Sequence, residues 1–241
     1  LTIVLRVIRK SLLEGAETAE GLAVIIDVFR AFSCAPLFFH FGAERVILEA
    51  DAEAAKSLKR SNPSYILVGE IDEIPLEGAD LTNSPTQILK KRRAFFQGRT
   101  VIHRTTAGVA GVRAAWNAGA DVVLGSFVMA RAIAQYVMAS GAETATLIAM
   151  GSRGVTGSEE DEACADYLEY LLSGSPYDQV SHLKDIIFDE ICMRFTRGNV
   201  PHLPPEDPIF CLQRDLFDFV IKVEKENGLL LARQINLPNP H

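Results

Sequence analysis

A three-layer α/β/α fold around a mostly parallel, mixed sheet, with a C-terminal helix and β-hairpin extension, is the architecture this sequence predicts. Three observations carry it. Short β-branched runs alternate with helical patterns from residue 23 to residue 172, the pattern of parallel strands covered on both faces. With 241 residues, 48% of them hydrophobic, the chain can bury a full core. Glycine, serine and threonine gather where the apolar runs end, and open α/β sheets bind ligands at the carboxyl ends of their strands.

The elements follow in order. Strands are predicted at 23–26, 45–48, 65–68, 100–103, 121–124 and 144–149, each a short run rich in β-branched residues. Helices are predicted between and after them, at 31–41, 51–61, 85–92, 107–117, 128–139 and 159–172. Ser84-Pro85-Thr86-Gln87 is a helix start, with serine as N-cap and proline at the first helical position. Composition shifts after Gly174-Ser175-Pro176. An amphipathic helix at 178–194 leads into the proline-rich stretch 201–205, and two alternating runs, 219–224 and 229–234, flank the hairpin signal Glu226-Asn227-Gly228. The expected division is an α/β core, 1–174, and an extension, 175–241, within one continuous domain. The extension is either an extra lobe on the sheet or an antiparallel addition to it.

Bulk properties narrow the function. Twenty-four Lys and Arg against thirty-one Asp and Glu give a net charge of −7, which argues against a nucleic-acid surface. The basic cluster Lys90-Lys91-Arg92-Arg93 falls late on a helix, where it meets the negative helix end. Cys34, Cys164, Cys192 and Cys211 are too widely spaced for a C-x-x-C or zinc pattern and read as reduced, buried thiols. No apolar run approaches the roughly 18 residues of a membrane span. The opening residues carry no secretion signal, so a cytoplasmic location is expected. His103 lies inside a β pattern and reads as packed; His40 and Trp116 lie on apolar helix faces and read as core.

The chemistry collects at the strand ends. Asp27-Val28-Phe29-Arg30-Ala31-Phe32-Ser33 follows directly on Leu22-Ala23-Val24-Ile25-Ile26. Its carboxylate can hold a metal, its guanidinium can fork onto an oxyanion, and its serine can cap the next helix. Further strand ends carry Gly69-Glu70, Arg104-Thr105-Thr106-Ala107-Gly108, Gly125-Ser126 and Gly151-Ser152-Arg153-Gly154. Backbone N–H groups, hydroxyls and helix N-termini on one sheet edge point to an anionic substrate. Plainer roles are open to each element: Asp27 as a helix cap, the threonine loop as a turn, and Glu159-Glu160-Asp161-Glu162 as solvated acids at a helix start. A metal role for those acids requires Asp27 nearby, since Mg²⁺ is held by one or two carboxylates plus water and phosphate. No dinucleotide fingerprint, phosphate loop, nucleophile elbow or H-E-x-x-H is present. Phenylalanine at position 29 also lacks the second acid of a haloacid-dehalogenase phosphatase.

Taken together, these segments resemble the 2-phosphosulfolactate phosphatase (ComB-like) family. The residues that carry the resemblance are Asp27 to Ser33, Gly69-Glu70, Leu81-Thr82-Asn83-Ser84-Pro85, Thr105 to Gly108, Gly125-Ser126-Phe127, and Gly151 through Glu160-Asp161 to Cys164-Ala165. They run in unbroken order over residues 20–172. The resemblance implies a phosphoric monoester hydrolase that uses Mg²⁺ on a small sulfonated phosphate ester, in the route toward coenzyme M in methanogens.

The site expected from these residues has Asp27 with Glu160 or Asp161 on the metal and Arg30 as a fork on oxyanions; the nucleophile is either Asp27 or water, and Glu70 is either general base or an outer-shell metal partner. Ser33, Asn83, Ser84, Thr105, Thr106, Gly108, Ser126 and Arg153 would bind substrate. The expected partner is a small anionic phosphomonoester, with no nucleic acid and no membrane, and the chain alone or as a homodimer. Ile71, Thr82, Ala107, Val109 and Met129 stand where relatives usually carry other residues, most of them polar. A relative that binds a phosphorylated or sulfonated compound without turnover is the alternative. A nucleotide-dependent transferase is a third reading, and it lacks the phosphate-loop lysine.

Overall fold

The computed structural model describes residues 5–237 and shows a mixed ten-stranded sheet with helices on both faces. The opening residues, on which the expectation about a secretion signal partly rests, lie outside the described residues. In chain order the first half comprises β1 (Arg6–Ser11), α1 (Leu12–Glu17), β2 (Leu22–Ile26), α2 (Ala31–His40), β3 (Arg45–Leu48), α3 (Ala52–Ser61), β4 (Ile66–Ile71), β5 (Ile74–Pro75) and α4 (Pro85–Phe96). There follow β6 (Thr100–Arg104), α5 (Gly108–Asn117), β7 (Asp121–Gly125), a 3-10 turn at Phe127–Met129, α6 (Ala130–Ala139), β8 (Thr144–Ala149) and α7 (Glu159–Ser173). The remainder holds α8 (Gln179–Phe188), α9 (Glu190–Thr196), α10 (Glu206–Cys211), β9 (Phe219–Glu226) and β10 (Leu229–Asn236).

The sheet is built as two parallel blocks. One contains β1, β8, β2 and β7; the other contains β3, β6 and β4. The C-terminal hairpin lies between them, with β9 antiparallel to β7 and β10 antiparallel to β3. Residues 219–236 thus join the two halves of the sheet. Asn227 and Gly228 both have left-handed backbone, with φ of 51° and 83°, the geometry a two-residue hairpin turn requires.

Each step from β7 through β9 and β10 to β3 reverses direction, so the two blocks run in opposite senses. Their carboxyl ends meet nonetheless: the Gly108 N–H beyond β6 donates to Asp27 beyond β2 at 3.0 Å. The functional strand ends therefore face each other across a crevice and are not ranged along one edge.

The local grammar explains most elements. Every residue of β2 is buried, as a parallel strand covered on both faces demands. Ser84 caps α4 by accepting from the Gln87 N–H, with Pro85 at the first position. The main core runs through Ile25, Phe32, Phe38, Val123 and Leu147. A second, smaller core of Ile47, Ala55, Leu67, Leu76, Ile102 and Leu231 lies under α3.

Three features differ from expectation. The helix at 178–194 is two helices, because Asp189 leaves helical backbone (ψ 146°) and caps α9 by accepting from the Ile191 N–H at 2.8 Å. β1 has the sequence RVIRKS, whose charges hide it from an apolar-run reading. His40 is exposed at the end of α2, edge-on to Phe41 and Phe217, while Trp116 is half-buried against the main core. All four cysteines are buried free thiols, and burial pushes the Cys34 thiol well above its ordinary value. No helix among the described residues is long and apolar enough to cross a membrane.

Candidate active site

A cavity of about 530 Å³ opens where the ends of β2, β4, β6 and β8 converge. One wall carries Asp27, Phe29 and Arg30; another carries Glu70, Asn83, Thr105, Thr106 and Ala107. The loop after β8 (Gly151, Ser152, Arg153) and the first turn of α7 (Glu160, Asp161) close it from the other side, with Arg194 of α9 at the mouth.

Asp27 is the hinge of this arrangement. Its Oδ1 accepts from the Ala31 N–H at 3.2 Å and its Oδ2 from the Gly108 N–H at 3.0 Å. One carboxylate thereby sits at the N-termini of α2 and α5 together, where helix dipoles favour negative charge. Glycine at 108 is needed for close approach: a Cβ there would lie 2.5 Å from Asp27 Oδ2 and 2.8 Å from Phe32 Cζ. Asp161 is held the same way, accepting from Val28 N–H at 2.7 Å and Gly151 N–H at 2.8 Å. Gly151 has φ of 62°, and a Cβ on it would meet the Thr156 carbonyl oxygen at 2.2 Å.

Burial dominates the electrostatics. Loss of solvent, then the negative charge of Glu70, raises Asp27 to about 7, against the opposing pull of its N–H donors and Arg30. Burial also raises Glu160 to about 7, aided by the charges of Asp27 and Asp189. Asp161 is pushed well above its ordinary value by burial and by Glu160 and Asp27. These three carboxyl groups have no salt-bridge partner among the described residues, and burial disfavours the charged form of each. Hard oxygen donors that repel one another in a dry corner are the donor set of a small divalent cation. No three acidic, histidine or cysteine residues among those described stand close enough to hold a metal by themselves. Asp27, Glu160 and Asp161 are hard oxygen donors of the kind a divalent cation takes, too few in one place to make a complete site by themselves.

Positive charge and neutral polar groups stand in the same cavity as these acids. Arg30 is buried, with Nη1 donating to Asp207 Oδ2 at 2.8 Å and to the His202 carbonyl at 2.9 Å. Glu70 accepts from the Thr106 N–H at 2.9 Å, from its hydroxyl, and from the Glu73 N–H at 2.6 Å. Asn83 is fixed by donating to the Arg104 carbonyl at 3.1 Å while its Oδ1 meets His103 Nε2 at 3.0 Å. His103 is a packed histidine as expected, edge-on to Phe38, and burial lowers it to about 3. Thr105 Oγ1 accepts from the Val109 N–H at 3.1 Å. Arg153 pairs with Asp72 at 3.2 Å and Arg194 pairs with Glu73, both exposed at the mouth.

Of the residues singled out in the sequence, Asp27, Arg30, Glu70, Asn83, Thr105, Thr106, Arg153, Glu160 and Asp161 line this one cavity. Ser33, Ser84, Gly108 and Ser126 stand behind the wall. The Ser33 hydroxyl donates to the Val28 carbonyl at 2.8 Å and that of Ser126 to the Phe32 carbonyl at 3.2 Å, both fully buried. Ser84 donates to Asp207 Oδ1 at 2.9 Å. Glu160 and Asp161 turn inward while Glu159 is exposed, so the acidic run is not simply a solvated helix start. The sequence reading missed Asp207, Arg194 and the bracing role of Arg104, whose guanidinium donates to the Glu70 carbonyl, the Thr106 hydroxyl and the Ala50 carbonyl. Arg104 was within reach, since it immediately precedes the threonine loop. Asp207 gave no local signal.

A family model described as 2-phosphosulpholactate phosphatase matches residues 7–196. Among similar curated proteins is a "Probable 2-phosphosulfolactate phosphatase" of Bacillus subtilis, 29% identical over 204 residues, covering 84% of this chain and 87% of the relative. A protein of the same description from Caldanaerobacter subterraneus is 27% identical over 228 residues, covering 89% and 92%. A third, from Caldicellulosiruptor saccharolyticus, is 30% identical over 178 residues, covering 72% and 69%.

Proposed function

The chain belongs to the 2-phosphosulfolactate phosphatase family, and from that membership and the chemistry of the cavity we propose that it hydrolyses a small acidic phosphomonoester in a Mg²⁺-dependent reaction. The substrate is 2-phosphosulfolactate or a close relative, and water splits it into the alcohol and inorganic phosphate. The observation that carries the reading is Asp27: a buried carboxylate shared between two helix N-termini, beside Glu160 and Asp161 and in one cavity with Arg30.

Asp27 and Glu160 would hold the cation, with Asp161 fixing the Val28 and Gly151 backbone beneath them. A cation there supplies charge neutralisation and polarisation of the phosphoryl oxygens. Arg30 grips phosphoryl oxygens as a planar fork. Thr105 and Asn83 offer neutral donors on the other wall, while Thr106 gives its N–H and its hydroxyl to Glu70. Glu70, oriented by Thr106 and the Glu73 N–H, takes the proton of the attacking water. Arg153 and Arg194 at the mouth face whatever second anionic group the substrate carries.

A protein that binds such an anion without turnover is the second reading, motivated by the departures from the family pattern. The placement of those residues weighs against it. Val109 and Met129 are fully buried and do not line the cavity, and Ile71 lies outside it as well. Of these departures Ala107 faces the cavity, and a polar side chain in its place would be worth about 1.5–3 kcal/mol if it contacted a charged group.

Phosphate release from 2-phosphosulfolactate decides between the two. Release is expected with Mg²⁺, a fall of at least about 100-fold in EDTA, and recovery when Mg²⁺ is added in excess. Equal rates with and without EDTA would remove the metal from the reaction, and saturable binding without release would favour the second reading. A Gly108→Ala variant should also lose about 100-fold in kcat/KM, because the new methyl group displaces the Asp27 carboxylate by a sizeable fraction of an ångström. Steady-state kinetics beside a thermal melt checks this; an unchanged kcat/KM would mean that the position of Asp27 is not critical.

A further inference from the structure

The C-terminal third reaches the cavity through one buried acid. Asp207, at the start of α10, is completely buried and lies beyond the residues 7–196 matched by the family model. Its Oδ2 accepts from Arg30 Nη1 at 2.8 Å; its Oδ1 accepts from the Ser84 hydroxyl at 2.9 Å and from the Thr86 N–H at 3.0 Å. The His202 carbonyl takes a second bond from the same Arg30 nitrogen at 2.9 Å. The Phe195 ring lies against the guanidinium, 5.3 Å from its centroid.

These contacts leave the guanidinium with one edge tied and one edge free. Nε and Nη2 make no hydrogen bond among the described residues, neither is sealed in the interior without a partner, and Arg30 lines the cavity. The free Nε/Nη2 edge is the pair of parallel donors that fits two oxygens of one phosphoryl group. A buried ion pair is a poor device for stability alone, since desolvation offsets much of its attraction. What it supplies here is a fixed plane for the guanidinium.

We propose that Asp207 is a positioning residue: it holds Arg30 so that its free edge meets the phosphoryl group. This inference rests on the phosphate-ester reading above, but its test does not depend on turnover. Inorganic phosphate is the probe, with affinity measured by calorimetry on the full chain in Mg²⁺, alongside KM and kcat for 2-phosphosulfolactate. Asp207→Asn is expected to weaken phosphate affinity and raise KM by about 10- to 100-fold, with a smaller change in kcat. In an Arg30→Ala background, where the fork is already gone, Asp207→Asn should add nothing.

Ser84→Ala, which removes one bond to Asp207 and no charge, should shift phosphate affinity and KM in the same direction by a smaller factor. It decides the matter if Asp207→Asn does not fold. Wild-type phosphate affinity and KM in a folded Asp207→Asn, or in Ser84→Ala where that variant decides, would overturn the proposal. So would a full independent loss in the Arg30→Ala background, or a wild-type protein that binds no phosphate. Wild-type binding without phosphate release would count against hydrolysis and leave the positioning role standing on its affinity data.

Discussion

Asp27→Asn is expected to reduce phosphate release by on the order of 10³-fold while leaving the protein folded. The substitution keeps shape and removes charge. In the native protein the Asp27 carboxylate accepts from two backbone N–H groups at once. An asparagine can satisfy one of them with its oxygen, and its NH₂ then faces the other donor. That mismatch destabilises by about 1–3 kcal/mol. The opposing effect has comparable size: burial and Glu70 already disfavour the ionised carboxylate, as its rise to about 7 shows, and a neutral amide escapes that penalty. Stability should therefore change little at pH 8 while turnover collapses. The check is phosphate release beside a thermal melt. Retention of more than a tenth of wild-type kcat in a folded variant would remove Asp27 from the reaction centre.

That Asp27 could be picked out beforehand reflects how local its signal is. A fully apolar run that stops at a carboxylate, followed by a helix start, is written in a few consecutive residues, and β2 and α2 obey it. The loops after β4, β6 and β8 were legible for the same reason. The hydroxyls were less so. Ser33 and Ser126 stand at strand ends as a phosphate site would want, yet each finds a carbonyl within a few ångströms, and a buried hydroxyl takes the nearest acceptor. Glu160 and Asp161 could not be told from Glu159 and Glu162 in sequence, because only the docking of α7 on the crevice decides which faces turn inward. Asp207 and the place of the hairpin in the sheet were beyond reach for a different reason. Asp207 meets Arg30 across 177 positions of chain, and β9–β10 enters the sheet between β7 and β3, strands from far earlier in the chain. Local propensity can announce a hairpin turn at Asn227-Gly228, but not which strands it will join.

The same buried acids predict an unusual pH response. Asp27 moves from 3.8 and Glu160 from 4.5, each to about 7 in the folded protein. For an acid raised by folding, the native state binds more protons than the unfolded chain between the two values, so stability falls as pH rises through that window. Below pH about 4 both states are protonated and the groups contribute no penalty; above about 7 both are ionised and the penalty is complete. Metal-free protein should accordingly lose roughly 2–4 kcal/mol between pH 5.5 and pH 8, a fall in Tm of about 5–10 °C for a chain of this size.

Mg²⁺ should reverse the trend. A cation bound by these carboxylates stabilises only their ionised forms, and protons compete with it. The Mg²⁺-induced rise in Tm should therefore be large at pH 8 and small at pH 5.5, and Asp27→Asn should reduce it at the higher pH. Differential scanning fluorimetry at the two pH values, with EDTA and with millimolar Mg²⁺, measures all of this. A metal-free Tm that climbs from pH 5.5 to 8, or a Mg²⁺ shift of equal size at both, would mean that these carboxylates are neither the source of the strain nor the place where the cation sits. His103 acts in the opposite sense: burial lowers it to about 3, so below about pH 6.5 only the unfolded chain takes up its proton, and this part of the stability rises with pH and offsets some of the fall caused by the acids.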